Sequence, residues 1–135
     1  MGKFSRYLHA AAMAFLSAAA FAQDNGGQPK DLATIAAESA DYLQEVLRLD
    51  DRQVYRVDST YLYNYTRMTD EMNGLKKAGV SAEEQYQSIS DRWMNACDTT
   101  FIKMFSDEQW AKYLKTRYGR EKKARDKRIQ ARAKM

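Results

Sequence analysis

Leu49-Asp50-Asp51-Arg52-Gln53-Val54 returns in altered form as Phe105-Ser106-Asp107-Glu108-Gln109-Trp110, and the reading of this pair decides the fold. In each copy a short oxygen-bearing side chain, Asp50 or Ser106, is placed to accept a hydrogen bond from an orphan N–H of a first helical turn. The Gln three residues on is placed to reach back to the backbone of the cap, which completes a capping box. The apolar residue ahead of each cap, Leu49 or Phe105, has the spacing of a hydrophobic staple onto Val54 or Trp110. A weaker third copy, Val80-Ser81-Ala82-Glu83-Glu84, keeps the box with Ser81 as its cap, but Gln85 spoils the staple.

These starts divide the chain into helices. Upstream, a helix is expected from about Asp31 to Arg48, with Leu32, Ile35, Tyr42, Leu43, Val46 and Leu47 as its apolar set. Its Ala-rich first half favours helix but offers a thin packing surface. From Asp51 to about Ala78, Val54, Val57, Tyr61, Tyr65, Met68, Met72 and Leu75 recur at steps of three and four, the clearest period in the sequence. At roughly 1.5–3 kcal/mol per buried large side chain, this stripe contributes on the order of 10 kcal/mol before conformational entropy opposes it. Gly74 is a weak point within it, and Gly79 suits the left-handed residue that ends a helix. A third helix, capped by Ser81 and running to about Met104, carries Tyr86, Ile89, Trp93, Cys97, Phe101 and Met104 in a row. A fourth starts at Asp107 after a sharp bend, with Trp110, Tyr113 and Leu114 facing inward. No segment alternates with period two. The expectation is all-α: a small bundle of about four antiparallel helices, the second and fourth long.

Ahead of this domain the sequence reads as an address. Lys3 and Arg6 form a basic start, Ala10 to Phe21 is nearly all small or apolar, and Ala20-Phe21-Ala22 fits a small-x-small cleavage pattern before Gln23. Residues 1–22 are therefore read as a secretory signal peptide, too short in its apolar run for a bilayer span and lacking the following Cys of a lipoprotein. Residues 23–30 form a polar lead-in holding the only Pro, and 31–135 a single helical domain. Cleavage near Ala22-Gln23 leaves 113 residues and removes the only histidine, His9. The remaining charge is uneven. Residues 117–135 carry nine Lys or Arg against Glu121 and Asp126, a balance of +7, while 23–116 carry −5.

Little supports catalysis. Without His9 the processed chain has no imidazole, and one cysteine cannot supply a zinc set. No Gly-rich phosphate loop exists, so no cofactor, metal or catalytic residue is assigned. The acid pairs Asp50-Asp51, Glu83-Glu84 and Asp107-Glu108 sit at helix starts, where the dipole favours them. Cys97 lies four residues from both Trp93 and Phe101, the setting of a buried thiol; an intermolecular disulfide is the other reading. The function is therefore expected at the surface. Tyr63 falls opposite the apolar stripe with Arg56 and Arg67 at steps of seven and four, either a grip for a partner or a surface tyrosine under arginine stems. The basic end, with Arg117, Arg120, Lys122 and Lys123, suits anionic lipid headgroups or acidic segments of unfolded proteins, or is a solvated helix end. Nucleic acid is not expected, because only Tyr118 is available there for stacking.

With these residues in view, Leu49-Asp50-Asp51-Arg52-Gln53 and Phe105-Ser106-Asp107-Glu108-Gln109 resemble the two LTxxQ motifs of the Spy/CpxP family of small, exported, helical proteins. Leu49, Gln53 and Gln109 match the motif outright; Phe105 stands for its Leu, and Asp50 and Ser106 for its Thr. The resemblance implies a periplasmic, ATP-independent chaperone or envelope-stress protein, often a curved antiparallel homodimer that holds unfolded or partly folded clients on a concave, partly basic surface. The alternative is a structural or adaptor protein that binds one envelope partner.

Overall fold

The computed structural model describes residues 29–135, so the calls on the signal peptide, on His9 and on most of the lead-in lie outside the described residues. Leu32–Met135 forms one compact unit. Among the described residues the regular structure is entirely helical, in five helices: α1 (Leu32–Leu47), α2 (Asp51–Lys77), α3 (Glu83–Met104), α4 (Asp107–Lys115) and α5 (Arg117–Ala133).

Two of the expected starts are made as the sequence suggests. Asp50 accepts from the Gln53 N–H and the Gln53 side chain accepts from the Asp50 N–H, and Ser106 and Gln109 repeat the arrangement. The third is not. Ala82, rather than Ser81, is the N-cap of α3, and no side chain caps it. That end is held by Glu83 and Glu84 in the first turn, where negative charge opposes the exposed N–H groups, and by the Tyr86 hydroxyl, which donates to the Val80 carbonyl.

The stripe of α2 is the spine of the core: Val57, Tyr61, Tyr65, Met68 and Met72 are buried, and Val54 and Leu75 are partly so. Tyr61 stacks on Tyr65 (centroids 5.3 Å) and meets Phe101 edge-on at 5.1 Å; Phe101 in turn stacks on Phe105 at 5.3 Å and meets Tyr113 at 5.8 Å. Such pairs add about 0.5–1.5 kcal/mol each beyond burial. In α1 the buried face differs from the expected one. Ala36, Ser39, Ala40, Leu43 and Leu47 turn inward, while Tyr42 and Val46 reach the surface. The small residues are the packing face, because they let α1 come close to the large aromatic and Met side chains of α2. The chain turns between these helices through Arg48, whose φ of 56° takes the left-handed conformation that glycine usually fills.

The second half of the chain departs most from expectation. The fourth helix is short, nine residues, and Leu114 is 42% exposed rather than inward-facing, whereas Tyr113 is buried. Thr116 then ends α4 and starts α5, its hydroxyl donating to the Tyr113 carbonyl at 2.6 Å and accepting from the Gly119 N–H at 3.4 Å. A Cβ on Gly119 would lie 2.1 Å from the Leu114 carbonyl oxygen, so only glycine permits so tight a corner. The basic end is neither frayed nor a plain continuation of α4. It is a separate helix laid antiparallel to α3, with Arg125 opposite Asp98, and Arg128 and Arg132 opposite Asp91.

Candidate functional site

The two capping boxes, 56 residues apart in sequence, meet. Gln53 Nε2 donates to Gln109 Oε1 at 2.7 Å, and Gln109 Nε2 donates back to Gln53 Oε1 at 3.1 Å. Each Oε1 also accepts the backbone N–H of its own cap, Asp50 at 3.0 Å and Ser106 at 2.9 Å. Gln53 Nε2 lies 3.5 Å from the Met104 carbonyl at the end of α3. One pair of amides thus ties the start of α2, the end of α3 and the start of α4. Leu49 and Phe105, the apolar residues preceding the caps, are both buried beside this joint in sequence. A glutamine is suited to the position because its carbonyl and NH2 can serve the cap and the partner together.

Along the α2–α3 seam the expected cluster around Tyr63 is rearranged. Tyr63 is 59% exposed and meets Trp93 of α3 edge-on at 6.5 Å. The cations sit on the tryptophan: Arg67 at 6.0 Å and Arg92 at 5.5 Å from its ring centroid. Glu71 binds Arg92 through both oxygens, at 2.9 and 2.6 Å, and accepts the Trp93 indole N–H at 2.8 Å. The hydrogen bond from Arg92 is the chief reason the Glu71 carboxyl is held below its usual pKa. Arg56 is not part of this group. Together with Thr99, Thr100, Lys103 and Met104 it lines an open groove of about 350 Å³ farther along the seam. The sequence reading missed Glu71, Arg92 and Trp93 as one unit, and only the antiparallel register of α2 and α3 brings them together.

The cations of the basic end do not form one patch. Arg117 packs over the rings of Tyr42 and Tyr118, 5.1 Å from each. Lys122 pairs with Asp126. Arg128 holds Asp91 with Nε at 3.0 Å and Nη2 at 2.9 Å, and Arg132 adds a third contact. Burial alone would raise the Asp91 pKa, but the two guanidiniums more than offset it and hold the carboxyl below its usual range. Asp98 accepts from the Tyr113 hydroxyl at 2.7 Å and pairs with the buried Arg125. Here burial wins, and the Asp98 carboxyl is pushed up despite both partners. Arg120 and Lys123 face solvent. A signal for this clasp exists in the sequence: Asp91 and Asp98, seven apart, share a face of α3, and Arg125, Arg128 and Arg132 recur at steps of three and four.

Cys97 is buried, and burial pushes its thiol well above the ordinary range, which suppresses the thiolate needed for disulfide chemistry. Among the described residues no group of three or more His, Cys, Asp or Glu is arranged to hold a metal ion, and no helix is long and apolar enough to cross a membrane. Comparison with family models, with curated proteins and with solved structures finds no match for this chain.

Proposed function

We propose that this chain is an exported, Spy/CpxP-like protein that binds unfolded or partly folded clients without ATP and keeps them from aggregating in the periplasm. The observation that carries the reading is the reciprocal pair Gln53–Gln109. The resemblance rests on two short motifs, and a motif that merely happened to cap a helix would have no reason to meet its second copy. Both glutamines instead serve one joint, which gives the repeated pentapeptide a shared structural purpose. Export is supported by the pattern of residues 1–22. The apolar surface available to a client includes the exposed Tyr55, Leu62, Tyr63 and Ile102.

The expected mode of action is capture by equilibrium contact. Apolar segments of a client pack on the exposed aromatic and aliphatic side chains, and acidic segments are attracted by exposed cations such as Arg56 and Lys103. No bond is made or broken, so release follows from client folding and weakens no covalent intermediate. Pairing of two chains into a curved cradle, which the resemblance implies, would enlarge this surface and is part of the proposal.

A second reading, an adaptor for one envelope partner, draws on the rigid Tyr63–Trp93 pair with Arg67 and Arg92 on the indole, since tryptophan and arginine are enriched at interface hot spots. Light scattering of an unrelated unfolding protein at two salt concentrations separates the two. A holdase slows aggregation at near-equimolar ratio, less so at high salt, and recovers a broad mixture from envelope extract. Absence of protection at every ratio, with one stoichiometric partner recovered, would overturn it in favour of the adaptor. Mass measurement in solution tests the dimer.

A further inference from the structure

Nine cations lie between Arg117 and Lys134, and the structure sorts them by face. Arg125, Arg128 and Arg132 are consumed by Asp98 and Asp91, Lys122 by Asp126, and Arg117 by the rings of Tyr42 and Tyr118. The remaining four, Arg120, Lys123, Lys127 and Lys134, are exposed and make no ion pair among the described residues. Arg120 donates one hydrogen bond to the Lys115 carbonyl and keeps its other N–H groups. At 100° per residue these four fall within about 60° of one another, centred opposite Arg125. The two acids of the helix lie elsewhere: Asp126 is tied to Lys122, and Glu121 is turned toward the interior, where burial raises its pKa. The result is a straight, acid-free cationic line about 21 Å long.

We propose that this outward line of α5 docks the protein onto an anionic phospholipid surface. The clasp to Asp91 and Asp98 holds the line rigid, so docking orders no further backbone. Exposed Gln130, Ala124 and Ala131 leave no bulky side chain between the cations and a flat array of headgroups. With no apolar residue larger than alanine between these cations on that face, the protein lies on the headgroups by charge and does not insert. Single-stranded nucleic acid fits less well, because the only aromatic ring of α5, Tyr118, is buried against Tyr42 and Ser39. The inference is independent of the chaperone reading, since it concerns a face that need touch no client.

The test is co-sedimentation of the full chain with vesicles of phosphatidylcholine alone or mixed with phosphatidylglycerol, at low and high salt. The full chain is used throughout. Its residues 1–22, apolar with Lys3 and Arg6 ahead of the run, contribute equally to the parent and to every variant, so the readout is the difference between parent and variants on anionic vesicles. Binding is expected to favour the anionic vesicles and to fade with salt as the Debye length contracts. Lys123→Gln with Lys127→Gln should lower the partition coefficient about 25-fold, near five-fold per charge, with an unchanged melting midpoint. Lys76→Gln with Lys77→Gln, exposed at the end of α2, should leave the preference largely intact. The proposal is overturned if the α5 variant binds like the parent, if the α2 variant loses as much, or if a nucleic-acid duplex at equal phosphate concentration displaces the vesicles.

Discussion

The joint between the capping boxes predicts a measurable coupling. Gln53→Ala removes two amide contacts to Gln109 and the reach-back bond to the Asp50 N–H. The backbone bond is exposed and contributes a few tenths of a kcal/mol, whereas the partly buried amide pair, at about 0.5–1.5 kcal/mol net per hydrogen bond, contributes about 1–2. Each single alanine variant should therefore lose about 2 kcal/mol. The double variant should lose a little over about 2 rather than about 4, because the amide pair is lost only once. With urea slopes of about 1–3 kcal/mol per molar, each single change moves the denaturation midpoint by about 1 M. Gln53→Glu separates the parts: its carboxylate still accepts from the Asp50 N–H and can accept from Gln109 Nε2, but it has no N–H to give to Gln109 Oε1, so the box survives and the coupling is reduced to one bond. Additivity of the two alanine variants to within about 0.3 kcal/mol would refute the idea that these side chains join the halves of the domain.

Other outcomes follow from the same contacts. Gly74→Ala should raise stability by about 0.5–1 kcal/mol, since a Cβ there meets nothing within 4 Å. Gly119→Ala should lower the melting midpoint sharply by forcing the Thr116 corner open, and equal midpoints for the two variants would contradict this reading. Acid should act in two stages. Glu71 and Asp91, held below the usual carboxylate pKa, stabilise the fold above about pH 4, and that contribution is lost as pH falls through their lower native values. Asp98 and Glu121 are pushed up by burial, so protonating them favours the native state and mild acid adds stability. Urea midpoints should therefore hold or rise from pH 7 to about 5 and fall below about 4; a steady decline beginning above pH 5 would sink the assignment. Cys97 should resist a thiol reagent in the native protein and react at the rate of unfolding, and rapid labelling without denaturant would show that the thiol is accessible.

The candidate surface was legible in part. Tyr63 is exposed as its place opposite the α2 stripe requires, yet the arginine expected to cover it, Arg67, prefers the larger indole of Trp93 on another helix. Arg117, Arg120, Lys122 and Lys123 look alike in sequence, but the first packs on rings, the third is paired with an acid, and Arg120 and Lys123 remain to face a partner. Formal charge does not tell a neutralised cation from a free one. The buried carboxylates that make the distinction, Asp91 and Asp98, lie on a helix that passes near α5 only after the chain has folded.

Sequence alone determines the features of this protein that are settled within a few residues: the Asp50 and Ser106 caps, the apolar period of α2, the left-handed Gly79 at its end, and the all-helical character of the described residues. These depend on hydrogen bonds and side-chain spacing inside one turn of helix, which local chemistry controls. Tertiary structure decided that Gln53 meets Gln109, that Ala36 and Ala40 of α1 face inward, and that four of nine terminal cations make no ion pair among the described residues. Each of those outcomes is a contest between groups far apart in the chain, and its winner is set by distance and burial, which exist only once the helices are packed.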